Sequence, residues 1–81
     1  MTTPETQAED IARVRALCAG GAARAIRVAA RLSLKEVASD VGVSLSTVWR
    51  WEMARRSPRG PAALRYLRLL DRLLQGGWHA R

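Results

Sequence analysis

Two helix starts of the same kind stand eleven residues apart in the middle of this chain, with a glycine between them. The first, Ser33-Leu-Lys-Glu36, is a capping box: the serine side chain takes an orphan N–H of the first turn, and the glutamate reaches back to the serine's own N–H. The helix it opens carries Val37, Ala38 and Val41 and stops at Gly42 after about eight residues. Ser44 is then a second N-cap. Its helix turns Val48 and Trp51 inward at i and i+3 and leaves Leu45, Ser46, Trp49 and Arg50 on the outer side. Two helices this short, joined by the turn Val41-Gly42-Val43, cannot bury enough surface alone, so each must pack on the other and both on a third body.

The spacing inside this pair is more specific than the caps. Within the twenty residues Leu34 to Met53, Ala38 is fifth and Gly42 ninth, while Val37, Val41, Val43, Val48 and Trp51 are fourth, eighth, tenth, fifteenth and eighteenth. Alanine at the fifth place lets the second helix cross closely over the first. Glycine at the ninth supplies a positive φ, and the apolar places lock the pair at a steep angle. This is the spacing of a helix-turn-helix.

The flanks also read as helices. Thr6 to Ala19 sets Ile11, Val14 and Leu17/Cys18 on one face, with acidic residues in its first turn where the helix dipole favours them. Gly20-Gly21 ends or kinks it. Ala22 to Arg31 places Ala22, Ile26 and Ala29/Ala30 together, and the pattern alone leaves open whether the two segments form one kinked helix or two. After the breaker stretch Arg55 to Gly60, Pro61 sits at a first-turn position and opens a helix to Gln75. That helix carries one stripe of Ala63, Leu67, Leu70 and Leu74 and a second of Tyr66, Leu69 and Leu73. No β-branched alternation appears, so the expected fold class is all-α: a five-helix bundle with an extra N-terminal helix. The expected organisation is an acidic leader and additional helix over 1–21, a helix-turn-helix domain over 22–75, and a flexible tail over 76–81.

Composition narrows the function. Eighty-one residues make one domain, and a chain of this size buries roughly 60–65% of its unfolded surface, too little for a deep cofactor cleft. The formal charge is +7 and is unevenly spread: the first ten residues carry −3, and the remainder carries fourteen basic against four acidic residues. A basic body of this kind suits a polyanion. The densest cluster is Arg50, Arg55, Arg56 and Arg59, interleaved with Trp49 and Trp51. Thirteen of the fourteen basic residues are arginine and fourteen residues are alanine, a bias that a GC-rich genome produces, so arginine over lysine is no signal by itself. A lone cysteine, Cys18, and a lone histidine, His79, supply no disulfide, no metal set and no nucleophile–base pair. Cys18 reads as a small buried hydrophobe in a reducing cytosol, and His79 as an inert tail residue. No signal peptide and no membrane span are expected, nor any cofactor, small-molecule ligand or enzymatic activity.

The stretch from Arg31 to Pro61, with its Leu-Ser pair, capped helix, Gly-Val-Ser turn, second helix ending in Trp51-Glu52 and basic Pro-containing loop, resembles the Cro/repressor (XRE-type) family of DNA-binding domains. The likeness runs from about Ala22 to Leu74. It implies that the Ser44-capped helix is a recognition helix lying in the major groove. Leu45, Ser46, Trp49 and Arg50 would then face bases: Arg50 the O6 and N7 of guanine, Leu45 and Trp49 a thymine methyl. Ser44, Thr47, Lys35, Arg55, Arg56 and Arg59 would hold phosphates. The bland readings are that Ser44 only caps its helix and that Trp49 tucks against the last helix. Ala38, Gly42, Val48 and Trp51 would be structural, and Glu52 would pair with Arg27 on the preceding helix. Two positions depart from the family: Leu34 stands where a phosphate-anchoring glutamine is usual, and Arg31 where a glycine is usual.

The function this implies is a sequence-specific transcriptional regulator in a bacterial cytoplasm, bacterial or phage-encoded, acting as a repressor or Cro-like switch on double-stranded DNA. Tyr66, Leu69 and Leu73 are the candidate contact of a homodimer through the C-terminal helix, which would set two recognition helices about 34 Å apart on a pseudo-palindromic operator. The competing account has the N-terminal helix covering that stripe within one chain. The alternatives of another class are a protein-interaction module such as an antitoxin and a phage excision factor that bends DNA.

Overall fold

The computed structural model describes residues 4–76. It has five helices: α1 (Pro4–Ala19), α2 (Ala22–Ala29), α3 (Leu34–Val41), α4 (Leu45–Glu52) and α5 (Gly60–Leu74). No strand occurs among the described residues, and the all-α expectation holds. No helix among them is long and apolar enough to cross a membrane. The expected tail beyond Gly76, with Trp78 and His79, lies outside the described residues.

Each junction has a local cause. Gly21, at φ 82°, separates α1 from α2, so the two segments are distinct helices and not one kinked rod. Helix α2 closes through paired bonds from the Arg31 N–H to the Val28 carbonyl (2.9 Å) and from the Leu32 N–H to the Arg27 carbonyl (3.1 Å). This is a Schellman ending, whose left-handed residue is usually glycine; here it is Arg31, at φ 59°. The capping box of α3 is complete: the Glu36 N–H donates to Ser33 Oγ (3.0 Å) and the Ser33 N–H to Glu36 Oε1 (2.8 Å). Those Ser33 bonds hold the Glu36 carboxyl below its ordinary value. Gly42, at φ 82°, ends α3. Ser44 caps α4 by accepting from the Thr47 N–H at 3.1 Å.

The core lies where the pair α3–α4 meets the layer of α1 and α5, with α2 closing one side. Val14, Ala23, Val41, Val48 and Ala63 are fully buried. The Trp51 and Tyr66 rings meet at 5.0 Å between centroids, tilted by 32°, so a residue of α4 is wedged onto α5. Beside Tyr66 lies Cys18, buried as expected, and burial pushes its thiol up to about 11.

Two expectations about α5 are corrected. Tyr66, Leu69 and Leu73 are exposed by only 1%, 8% and 8% and belong to the core of a single chain. They are no free dimer face, because α1 packs along α5 and covers the second stripe. Leu74, placed on the inward stripe by its spacing, is instead 56% exposed, because it is the last residue of α5 and no helix among the described residues extends over it.

Candidate nucleic-acid interface

Helix α4 divides sharply into two faces. Val48, Trp51 and Glu52 are buried, whereas Leu45 and Trp49 are large apolar residues left 46% and 40% exposed. Ser46 and Arg50 are exposed beside them. This face thus presents apolar, hydroxyl and guanidinium groups together. Trp49 does not tuck against α5; it borders a shallow groove of about 500 Å³ formed with Arg24, Arg27, Leu34, Glu52 and Met53.

The buried face is fixed by one charge pair. Arg27 Nε and Nη2 donate to the two Glu52 carboxylate oxygens at 2.6 and 3.0 Å, and Nη1 donates to the Leu32 carbonyl at 2.9 Å. The Glu52 side chain is only 2% exposed, so its charge is spent on Arg27 and not presented to the outer face. The hydrogen bonds to Glu52 raise the Arg27 pKa, keeping the guanidinium charged. One arginine thereby ties α2, the α2–α3 link and the end of α4 into one unit.

The turn and the loop are braced from outside the motif. Arg65 of α5 donates from Nε to the Val41 carbonyl at 2.8 Å, closing α3 at its turn. Arg15 of α1 donates from Nε to the Pro58 carbonyl at 2.9 Å, and Pro58 is buried under that helix. Neither residue was legible as part of the site. Arg15 lies 43 residues before Pro58, and nothing local to either position announces the contact.

Of the expected phosphate and base residues, Thr47, Arg50, Arg56 and Arg59 come together with Ser57 around one polar cleft of about 240 Å³. Arg55 is set apart from them, its guanidinium lying over the Trp49 ring, 5.3 Å from the centroid. Ser44 Oγ and Thr47 Oγ1 share a hydrogen bond of 2.8 Å. Lys35 is exposed on α3, and Leu34, in the usual glutamine place, is half-buried against the core.

Charge follows the same division. Glu52 faces Arg27, Asp71 faces Arg13 at 2.5 Å and Asp40 lies 3.5 Å from Arg72, while Glu36 serves its capping box. Among the described residues no carboxylate pairs with Arg50, Arg55, Arg56 or Arg59. Four arginines without a carboxylate partner therefore cluster on α4 and the loop behind it, an arrangement that a phosphate backbone attracts.

A family described as a helix-turn-helix domain matches residues 19–75 of the chain. The chain belongs to the helix-turn-helix domain family. Its resemblance to the Cro/repressor type is borne out at that level, with α3, Gly42 and α4 forming the helix-turn-helix. The matched span begins at the last residue of α1, so the rest of that helix lies outside it. No curated protein and no solved structure gives a significant match. The helix-turn-helix family supports a DNA-binding regulator as the function of this domain.

Proposed function

We propose that the protein is a sequence-specific transcriptional regulator that lays α4 in the major groove and represses by occupying promoter DNA. The observation that carries this is the outer face of α4: exposed Leu45, Ser46, Trp49 and Arg50, flanked by arginines without carboxylate partners. Arg50 reads guanine through its O6 and N7, and Leu45 lies against a thymine methyl. Ser44 and Thr47 at the start of α4, Lys35 on α3, and Arg56 and Arg59 around the cleft hold phosphates on either side. Trp51, Val48, Ala38, Gly42 and the Arg27–Glu52 pair keep α4 at a fixed angle and touch no DNA. Steric exclusion of polymerase is the simplest mechanism for a reading head of this size.

The test is binding of the full chain to the DNA upstream of its own gene and to random duplex, across a salt series. Engagement of about 6–10 phosphates predicts that log K falls with log salt with a slope of roughly −5 to −9. The upstream duplex should bind more tightly by about 1,000-fold or more. Equal affinity for the two duplexes at every salt concentration would overturn sequence-specific regulation.

A further inference from the structure

Arg55 and Arg56 are neighbours in sequence with different surroundings, and the end of α4 explains the difference. After the cap Met53, Ala54 takes a left-handed conformation at φ 56°. Its N–H bonds the Trp51 carbonyl at 3.1 Å and the Arg55 N–H bonds the Arg50 carbonyl at 2.8 Å. The chain is thereby reversed onto its own helix. Arg56 falls into the cleft with Thr47, Arg50 and Arg59, whereas Arg55 is returned over the exposed ring of Trp49.

A cation that only neutralises a phosphate needs no such plate, since a flexible point charge does the same work. A guanidinium over an indole is restrained by the cation–π contact, and its planar fork of donors matches two acceptors on a base. The plate belongs to the exposed part of α4 and is next to Arg50 in sequence. On the proposed reading of that face as the major-groove face, we infer that Arg55 is a base-reading residue, taking the O6 and N7 edge of a guanine, with Trp49 as the platform that orients it. The pair would supply a second guanine contact in addition to that of Arg50, and it removes Arg55 from the set of phosphate anchors.

The inference is tested on the duplex that the wild-type chain enriches from a random pool. Failure to enrich any sequence overturns the reading of α4 itself and is seen before any variant is made. With a preferred duplex in hand, each guanine is replaced in turn by 7-deazaguanine, which lacks the N7 acceptor, and binding is measured for wild type, Arg55→Lys, Arg55→Gln and Trp49→Leu. Wild type should lose about tenfold or more at a guanine that Arg50→Ala does not affect. Arg55→Lys should weaken that sensitivity while its salt slope stays unchanged, because the charge remains and the planar two-point fork is lost. Trp49→Leu should weaken the same sensitivity with both arginines present. If instead Arg55→Lys discriminates as wild type does, and Arg55→Gln weakens binding to all duplexes alike with a slope smaller by about one, Arg55 is a phosphate anchor and the inference is overturned. Thermal melts of each variant confirm that this exposed position leaves the fold intact.

Discussion

Two arginine–carboxylate pairs of the same chemistry tie distant parts of this chain together, and they differ in burial. Arg27–Glu52 has side chains exposed by 14% and 2%, whereas Arg13–Asp71, joining α1 to α5, has side chains exposed by 52% and 30%. In the first, removing either partner leaves a largely buried charge without its counter-ion, so the pair fixes the end of α4 against α2 at high cost of error. In the second, water solvates whatever is left, and the bond adds little. The Arg27–Glu52 pair thus adds an electrostatic tie to the apolar packing of Val37, Val41, Val48 and Trp51, whereas α1 is held on mainly by apolar burial at Val14 and Cys18.

The largest effect expected is at the buried pair. Glu52→Ala should destabilise the fold by about 3–5 kcal/mol in urea unfolding, while the double change Arg27→Met with Glu52→Leu should be less damaging than either single change. Additive losses would show that the charge pair is not the coupling element. Next comes the brace: Val14→Ala should cost about 2 kcal/mol and raise the alkylation rate of Cys18, whose thiol is held neutral by burial in the intact fold. If Cys18 reacts as slowly in the variant as in wild type, α1 is held by something other than this burial. In the opposite direction, Arg31→Gly and Ala54→Gly should each raise stability by about 0.5–1 kcal/mol, since both positions hold a left-handed backbone with a side chain attached. The smallest effect belongs to the exposed pair: Asp71→Ala should leave the urea midpoint within experimental error, and a loss comparable to that at Val14 would erase the contrast between the two pairs.

Much of this architecture was legible because its causes are local. The Ser33–Glu36 box, the Ser44 cap, Gly42 and the alternation of inward and outward residues on α4 are written within a few residues of where they act. The Arg27–Glu52 pairing was reached only through family resemblance, since the partners are 25 residues apart. The covering of Tyr66, Leu69 and Leu73 was not decidable from the pattern, because an apolar stripe looks the same whether α1 or a second copy of the chain buries it. Ala54 gave no sign of its left-handed turn, a conformation that glycine would have signalled. The placement of Arg55 over Trp49 therefore stayed hidden, and with it the division of the arginine cluster into two groups.

The central claim is that the exposed face of α4 reads base sequence, and selection of duplexes from a random pool by the wild-type chain and by Arg50→Ala tests it most directly. Wild type should enrich one short motif containing guanine, and Arg50→Ala should bind the same pool at nearly the same salt slope while losing preference at one position by about 1–3 kcal/mol. A wild-type pool that stays random, or an Arg50→Ala pool with an unchanged motif, would contradict the account.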